Sequence, residues 1–138
     1  AYIENEVQLH DVLEFCYAIL GQNSREIEYY TYEAWKERLG KYSPVLVYAH
    51  ENGEIIAAVL GRPESEENLV MGFVACGERY RMRGITKSLV QVFEKNARDL
   101  GFKHITLGAH KDAEGFYTKC GYSIIDEVHG QNVFRKIL

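Results

Sequence analysis

The sequence predicts a mixed α/β fold, a central sheet of about six to seven strands with helices on both faces. Three observations predict it. Helical apolar stripes occupy residues 9–20 and 85–100. A block of short β-rich runs lies between them, and a strand–helix–strand–strand alternation closes the chain.

The elements follow in order. A short strand is expected around Tyr2 and Ile3. In "LHDVLEFCYAIL", Leu9, Val12, Leu13, Cys16, Ile19 and Leu20 fall on one helical face, and Gly21 is a stop signal. "NSREIEYYTYEAWKERLG" offers Asn23 or Ser24 as a helix cap and Thr31 as a second, with Gly40 at its end. "PVLVYAH" and "EIIAAVL" are β-rich and are joined through Asn52-Gly53, the pair that a type I′ hairpin turn favours because both central residues need positive φ. "ENLVMGFVAC" is the third strand of this meander. Both prolines, Pro44 and Pro63, fall at strand edges. The long helix of "GITKSLVQVFEKNARDLG" carries Ile85, Leu89, Val92, Phe93, Ala97 and Leu100 at steps of three and four, closed by Gly101. "KHITLGA" is a strand, "DAEGFYTKCG" a short helix, and "YSIIDEV" and "NVFRKIL" are the final strands. The strand before Gly84, the helix after it and the strand at 103–109 form a βαβ unit, so those two strands are expected to be parallel. The others are expected to be antiparallel.

Bulk composition narrows the function classes. The 138 residues, 46% of them apolar, suit one domain over 1–138 with a substantial core. A net charge of −4, from 16 basic and 20 acidic residues, argues against a nucleic-acid or anionic-membrane surface. No apolar run approaches the roughly 20 residues of a membrane-spanning helix, and "AYIENEV" lacks the pattern of a secretion signal. Cys16, Cys76 and Cys120 are odd in number and widely spaced, which points to neither a disulfide framework nor a metal site. The cytoplasm is the expected compartment.

One stretch concentrates charge. "RYRMR" is the only dense basic patch, and it stands where the long helix begins. A helix N-terminus presents unpartnered amide N–H groups and a partial positive charge, so it can bind phosphate. Gly84 allows close backbone approach, while Arg81 and Arg83 can add charge-assisted hydrogen bonds. By itself the pattern reads first as a surface turn with solvated arginines. Neither a Walker A loop nor a dinucleotide Gly-x-Gly-x-x-Gly is present, and no metal-binding acid supports a nucleotide hydrolase.

Taken together, "VACGERYRMRGITKSLV" resembles the acetyl-coenzyme-A-binding motif of the GNAT superfamily of N-acetyltransferases. That motif, Arg/Gln-x-x-Gly-x-Gly/Ala, maps onto Arg81-Met82-Arg83-Gly84-Ile85-Thr86. One helix and one strand later, "AEGFYTKCGY" is similar to the family's Ala-x-x-Phe-Tyr-x-x-x-Gly-Phe/Tyr segment. The resemblance implies the GNAT acyl-CoA N-acyltransferase fold, acetyl-CoA as co-substrate, no metal, and an amine acceptor. It implies that backbone N–H groups of Arg81, Met82, Arg83, Gly84, Ile85, Thr86 and Lys87 hold the pyrophosphate. Val74 and Cys76 would pair with the pantetheine arm, and Tyr117 would protonate the departing thiolate. Two residues depart from the pattern. Thr86 replaces a Gly or Ala, and His110 replaces an Asn that helps hold the pantetheine arm in many members. Some relatives dimerise, so a homodimer is open.

Direct transfer through a ternary complex needs no enzyme nucleophile, and no Ser/His/Asp or Cys/His set is visible. Cys76 and Cys120 are expected as buried structural thiols, and Phe116 as a core residue beside Tyr117. The base is open among Glu28, Glu33, His110, Glu78 and ordered water. Acceptor contacts are implied near residues 21–33, which include Glu26, Tyr29, Tyr30 and Tyr32, and at "DEVHGQN" between the last strands. A GNAT-like module that binds acyl-CoA without turnover is the alternative.

Overall fold

The computed structural model describes residues 1–20 and 32–138. The expected caps Asn23, Ser24 and Thr31, and the expected site residues Glu26, Glu28, Tyr29 and Tyr30, lie outside the described residues. Helix α1 spans Glu6–Leu20 and α2 Tyr32–Lys36. Three strands follow: β1 Leu46–Glu51, β2 Glu54–Pro63 and β3 Asn68–Cys76. Helix α3 covers Ile85–Asp99, β4 His104–Ala109 and α4 Glu114–Lys119. Strands β5 (Ser123–Val128) and β6 (Gln131–Ile137) complete the sheet. Short 3₁₀ turns at Ser43–Val45, Glu78–Tyr80 and Lys111–Ala113 join the elements.

Local chemistry explains the boundaries. Asn5 caps α1, its Oδ1 accepting from the Gln8 N–H at 2.9 Å, while Gln8 Oε1 accepts from the Glu4 N–H at 2.8 Å. Helices α3 and α4 both end in a Schellman motif. In α3, Gly101 (φ +95°) donates to Arg98 and Phe102 to Ala97. In α4, Gly121 (φ +95°) donates to Thr118 and Tyr122 to Tyr117. The β1–β2 hairpin turns on Asn52 and Gly53 (φ 52° and 80°) as the sequence predicts. The expected strand at Tyr2–Ile3 is reduced to a single bridge from Tyr2 to Val47.

The six strands run in the order β1-β2-β3-β4-β6-β5. Strands β3 and β4 are parallel and the other neighbours antiparallel. One face carries α1 and α2, packed through Leu9, Val12, Leu13, Cys16 and Trp35 onto Leu46, Leu60 and Phe73. The opposite face carries α3 and α4, with Phe93, Ala97 and Tyr117 over Val59, Ile105, Leu107 and Phe134. Gly61 lets α3 approach, since a Cβ there would lie 2.6 Å from Phe93 Cε2. The α3 stripe differs from its expected course: Val90 and Glu94 are buried, whereas Val92 is 46% exposed. The buried face centres on Leu89, Phe93 and Ala97, so Val92 falls on its flank beside Ala49 and Arg83. Among the described residues, no helix is long and apolar enough to cross a membrane.

The β3–β4 junction positions the site. These strands pair only from Asn68↔His104 to Val70↔Thr106, while the register of β3 on β2 continues to Ala57↔Cys76. The closed end is stapled by Asn68, whose Nδ2 donates to Thr106 Oγ1 at 3.0 Å and whose Oδ1 faces His104 Nδ1 at 2.8 Å. Beyond Val70 the two strands diverge, leaving a wedge whose β3 edge has no strand partner among the described residues.

Candidate active site

A cavity of about 540 Å³ opens at the wide end of that wedge, between the N-terminus of α3 and the side of α4. It is lined by Val74, Cys76, Tyr80, Arg81, Met82, Gly84, Ile85, Thr86, Lys87, Ala113, Phe116 and Tyr117. Nine of the eleven site residues expected from sequence therefore converge. Arg83 and His110 do not line this space. Arg83 turns to the other side of α3, into a groove with Ala49, Ile85, Ser88 and Val92, and its guanidinium lies 5.4 Å from the Tyr80 ring centroid. His110 lines a separate groove of about 710 Å³ with Lys111, Glu114, Glu127, Gln131 and Asn132.

The loop before α3 has the geometry of an anion cradle. Met82 (φ 63°) and Gly84 (φ 77°) both hold left-handed backbone, and Gly84 is the N-cap of α3. At Met82, fully exposed, this conformation costs on the order of 1 kcal/mol. The helix ladder begins with the Ser88 N–H, bonded to the Gly84 carbonyl at 3.0 Å. Among the described residues, the amides from Met82 to Lys87 find no loop, turn or cap acceptor, and no side chain caps α3. Of the residues carrying these donors, Met82, Gly84, Ile85, Thr86 and Lys87 line one cavity together with Arg81, at the positive end of the helix dipole.

Tyr117 forms the opposite wall. Its ring packs edge-on against Phe116 (5.1 Å between centroids) and Tyr122 (5.9 Å), and lies 6.3 Å from Phe134. Burial, with a smaller contribution from Cys120, pushes its phenol up to about 12, so it stays protonated at neutral pH. Phe116, expected in the core, is the shallower of the two aromatics, and both line the cavity. Tyr117 is 6% exposed and belongs to the core, while Phe116 is half-buried against the cavity.

Other sequence expectations are redistributed. Cys76 and Cys120 are half-buried, and only Cys16 is fully buried, where desolvation raises its thiol to about 12. Cys76 lines the cavity because β3 turns that side of its edge toward the wedge. Glu78 and Glu33 are exposed surface carboxylates, and Tyr32 donates to Glu6 on α1 at 3.5 Å. The "DEVHGQN" segment is mostly strand, turning only at His129 and Gly130 (φ 52° and 78°). Sequence reading missed Tyr80, Ala113 and Phe116 as cavity residues. Tyr80 was signalled by its place inside the basic patch, an aromatic between arginines. No cluster of His, Cys, Asp or Glu among the described residues could hold a metal ion.

Comparison with known proteins agrees with this fold. The sequence profile of the Acetyltransferase (GNAT) family matches residues 7–122. No curated protein matches the chain significantly. Among solved structures, Rv2747 from Mycobacterium tuberculosis, in complex with CoA, superposes with a TM-score of 0.77 at 11% identity, covering 98% of this chain and 96% of that one. PaiA N-acetyltransferase from Thermoplasma acidophilum, in complex with coenzyme A, gives 0.71 at 18% identity, covering 100% and 98%. A GNAT family acetyltransferase from Elizabethkingia anophelis with acetyl-CoA bound gives 0.69 at 18% identity, covering 91% and 90%. At these identities the likeness speaks for the fold.

Proposed function

The chain belongs to the GNAT family of acetyltransferases, and from that premise we propose that it transfers the acetyl group of acetyl-CoA directly onto a primary amine in a ternary complex. The observation that carries this reading is the convergence, on one cavity, of unpaired loop amides, the free β3 edge and a buried, protonated tyrosine.

The residues present fit acetyl-CoA. Amides from Met82 to Lys87, with Arg81 and Lys87, would hold the pyrophosphate at the α3 N-terminus. The hydroxyl of Thr86, where the family has Gly or Ala, lines the same cavity and can donate there. The free edge of β3 at Val74 and Cys76 would take the pantetheine amides as a partial strand, and a β3 N–H would stabilise the developing oxyanion. Tyr117 would then deliver its proton to the leaving thiolate. An alkyl amine, with a pKa near ~10.4, must lose a proton before it attacks. The neighbouring groove, with His110, Glu114 and Glu127 along its walls, is where we place the acceptor and its base or water chain.

Calorimetric titration with acetyl-CoA, with ATP and NAD as controls, tests the reading, followed by an amine screen for thiol release. Saturable binding of acetyl-CoA alone is expected. A folded sample that binds no acyl-CoA would remove the acetyltransferase assignment for this cavity.

A further inference from the structure

A second polar cluster lies behind Tyr117, on the side away from the cavity. Glu94 is a buried carboxylate in the middle of α3, 6% exposed. Tyr122 Oη donates to its Oε2 at 2.8 Å. Lys136 Nζ, arriving from β6, lies 3.2 Å from both carboxylate oxygens and donates to the Cys120 carbonyl at 2.8 Å. The same ammonium is 5.7 Å from the Tyr122 ring centroid. Burial and the adjacent Glu94 charge both push the Tyr122 phenol upward, which keeps it a donor.

The link to Tyr117 is structural. In the Schellman motif that ends α4, the Tyr122 N–H donates to the Tyr117 carbonyl at 3.0 Å, and the two rings meet edge-to-face. Cys120, whose carbonyl Lys136 holds, is the C-cap of the same helix. One network thus fastens α4 to α3 and to β6 within one turn of Tyr117. Stability alone is a weak reason for such a cluster. A buried ion pair replaced by apolar groups of similar volume is often neutral or stabilising, because desolvation offsets the attraction. What a charged, hydrogen-bonded network adds is a single geometry.

We propose that Glu94, Lys136 and Tyr122 are positioning residues that hold the Tyr117 ring against the acyl cavity. For its catalytic consequence this rests on the reading of Tyr117 as the proton donor. Glu94, Tyr122 and Lys136 do not themselves line the cavity, and they act on it through Tyr117 and α4.

Two variants test it. Tyr122→Phe removes one hydroxyl and keeps the ring. The double change Glu94→Leu/Lys136→Met replaces the ion pair with apolar bulk. Each is compared with the unaltered chain by ¹³C NMR of labelled tyrosine rings, the Tyr117 signal being identified by its loss in Tyr117→Phe. Both variants should bind acetyl-CoA within about twofold of the original and release thiol about tenfold more slowly with the amine that the screen selects. Their Tyr117 ring should flip at least about tenfold faster. In a Tyr117→Phe background, Tyr122→Phe should add no further loss, as expected for residues acting as one unit. An unchanged flip rate with unchanged turnover in Tyr122→Phe would overturn the proposal, even if the double variant does not fold. A Tyr117→Phe chain that keeps full turnover, while Tyr122→Phe still frees the ring, would overturn the proton-donor role and leave the positioning intact.

Discussion

At the scale of single residues, Tyr117 shows how burial and reactivity are set together. It sits on a helix of only six residues, and its ring contributes to the core beneath α3 and α4. The same burial that packs the ring raises the phenol to about 12, so it stays protonated at neutral pH, as the proposed transfer of its proton to a leaving thiolate requires. A phenylalanine would keep almost all of the packing and remove only the transferable proton. Tyr117→Phe should therefore lower kcat by on the order of 10²-fold while leaving acetyl-CoA affinity nearly intact, which steady-state kinetics and calorimetry measure separately. An unchanged kcat would take Tyr117 out of the chemistry. Met82 is the contrasting residue. Its side chain is fully exposed, and its left-handed backbone turns the loop toward the α3 N-terminus.

At the scale of elements, α3 and β2 meet where Gly61 removes a side chain. A Cβ at that position would come within 2.6 Å of one Phe93 ring carbon and 2.7 Å of another, and Phe93 is wholly buried. Gly61→Ala should cost about 1–3 kcal/mol by overpacking, read as a lowered urea midpoint with an unchanged slope. Much of this arrangement was legible beforehand. Asn52-Gly53 named its hairpin because the turn needs two positive φ values, and the βαβ order required β3 and β4 to be parallel. His129-Gly130 makes a turn of similar dihedrals that the sequence does not announce, since histidine is not a usual residue there. Glu94 was illegible as a core residue because its charge hides it from an apolar periodicity. Only its partners, Tyr122 and Lys136, which lie 28 and 42 residues away in sequence, make its burial tolerable. The divergence of β3 from β4 was likewise hidden, because pairing that stops after three residue pairs leaves no mark on side-chain alternation. Arg83 and His110 illustrate the remaining gap. Motif register predicts which backbone groups are near a ligand, whereas side-chain direction depends on the local turn.

At the scale of the whole molecule, one sheet separates two apolar layers, and ionisable hydroxyl and thiol groups are enclosed in both. Cys16 lies in the α1 layer with its thiol raised from 9.0 to about 12, and Tyr117 lies in the α3–α4 layer with its phenol raised from 10.0 to about 12. Burial is the leading cause in each, because either anion would lose its water without gaining a cation of comparable strength. The sign of the consequence follows from linkage. Below about pH 9 both groups are protonated in folded and unfolded chains alike, and neither makes stability depend on pH. Between about pH 9 and 12 the unfolded chain releases these protons while the folded chain keeps them, so the unfolded state gains and stability falls as pH rises. Each group contributes on the order of a few kcal/mol across that window. Urea unfolding at pH 8.0 and at about pH 10.5 should therefore show a lower midpoint at the higher pH. Cys16→Ala should flatten part of that fall while lowering stability at pH 8.0 through the cavity it leaves. An identical pH dependence in Cys16→Ala would mean that the α1 layer admits water to the thiol, and that the two layers are not equally dry.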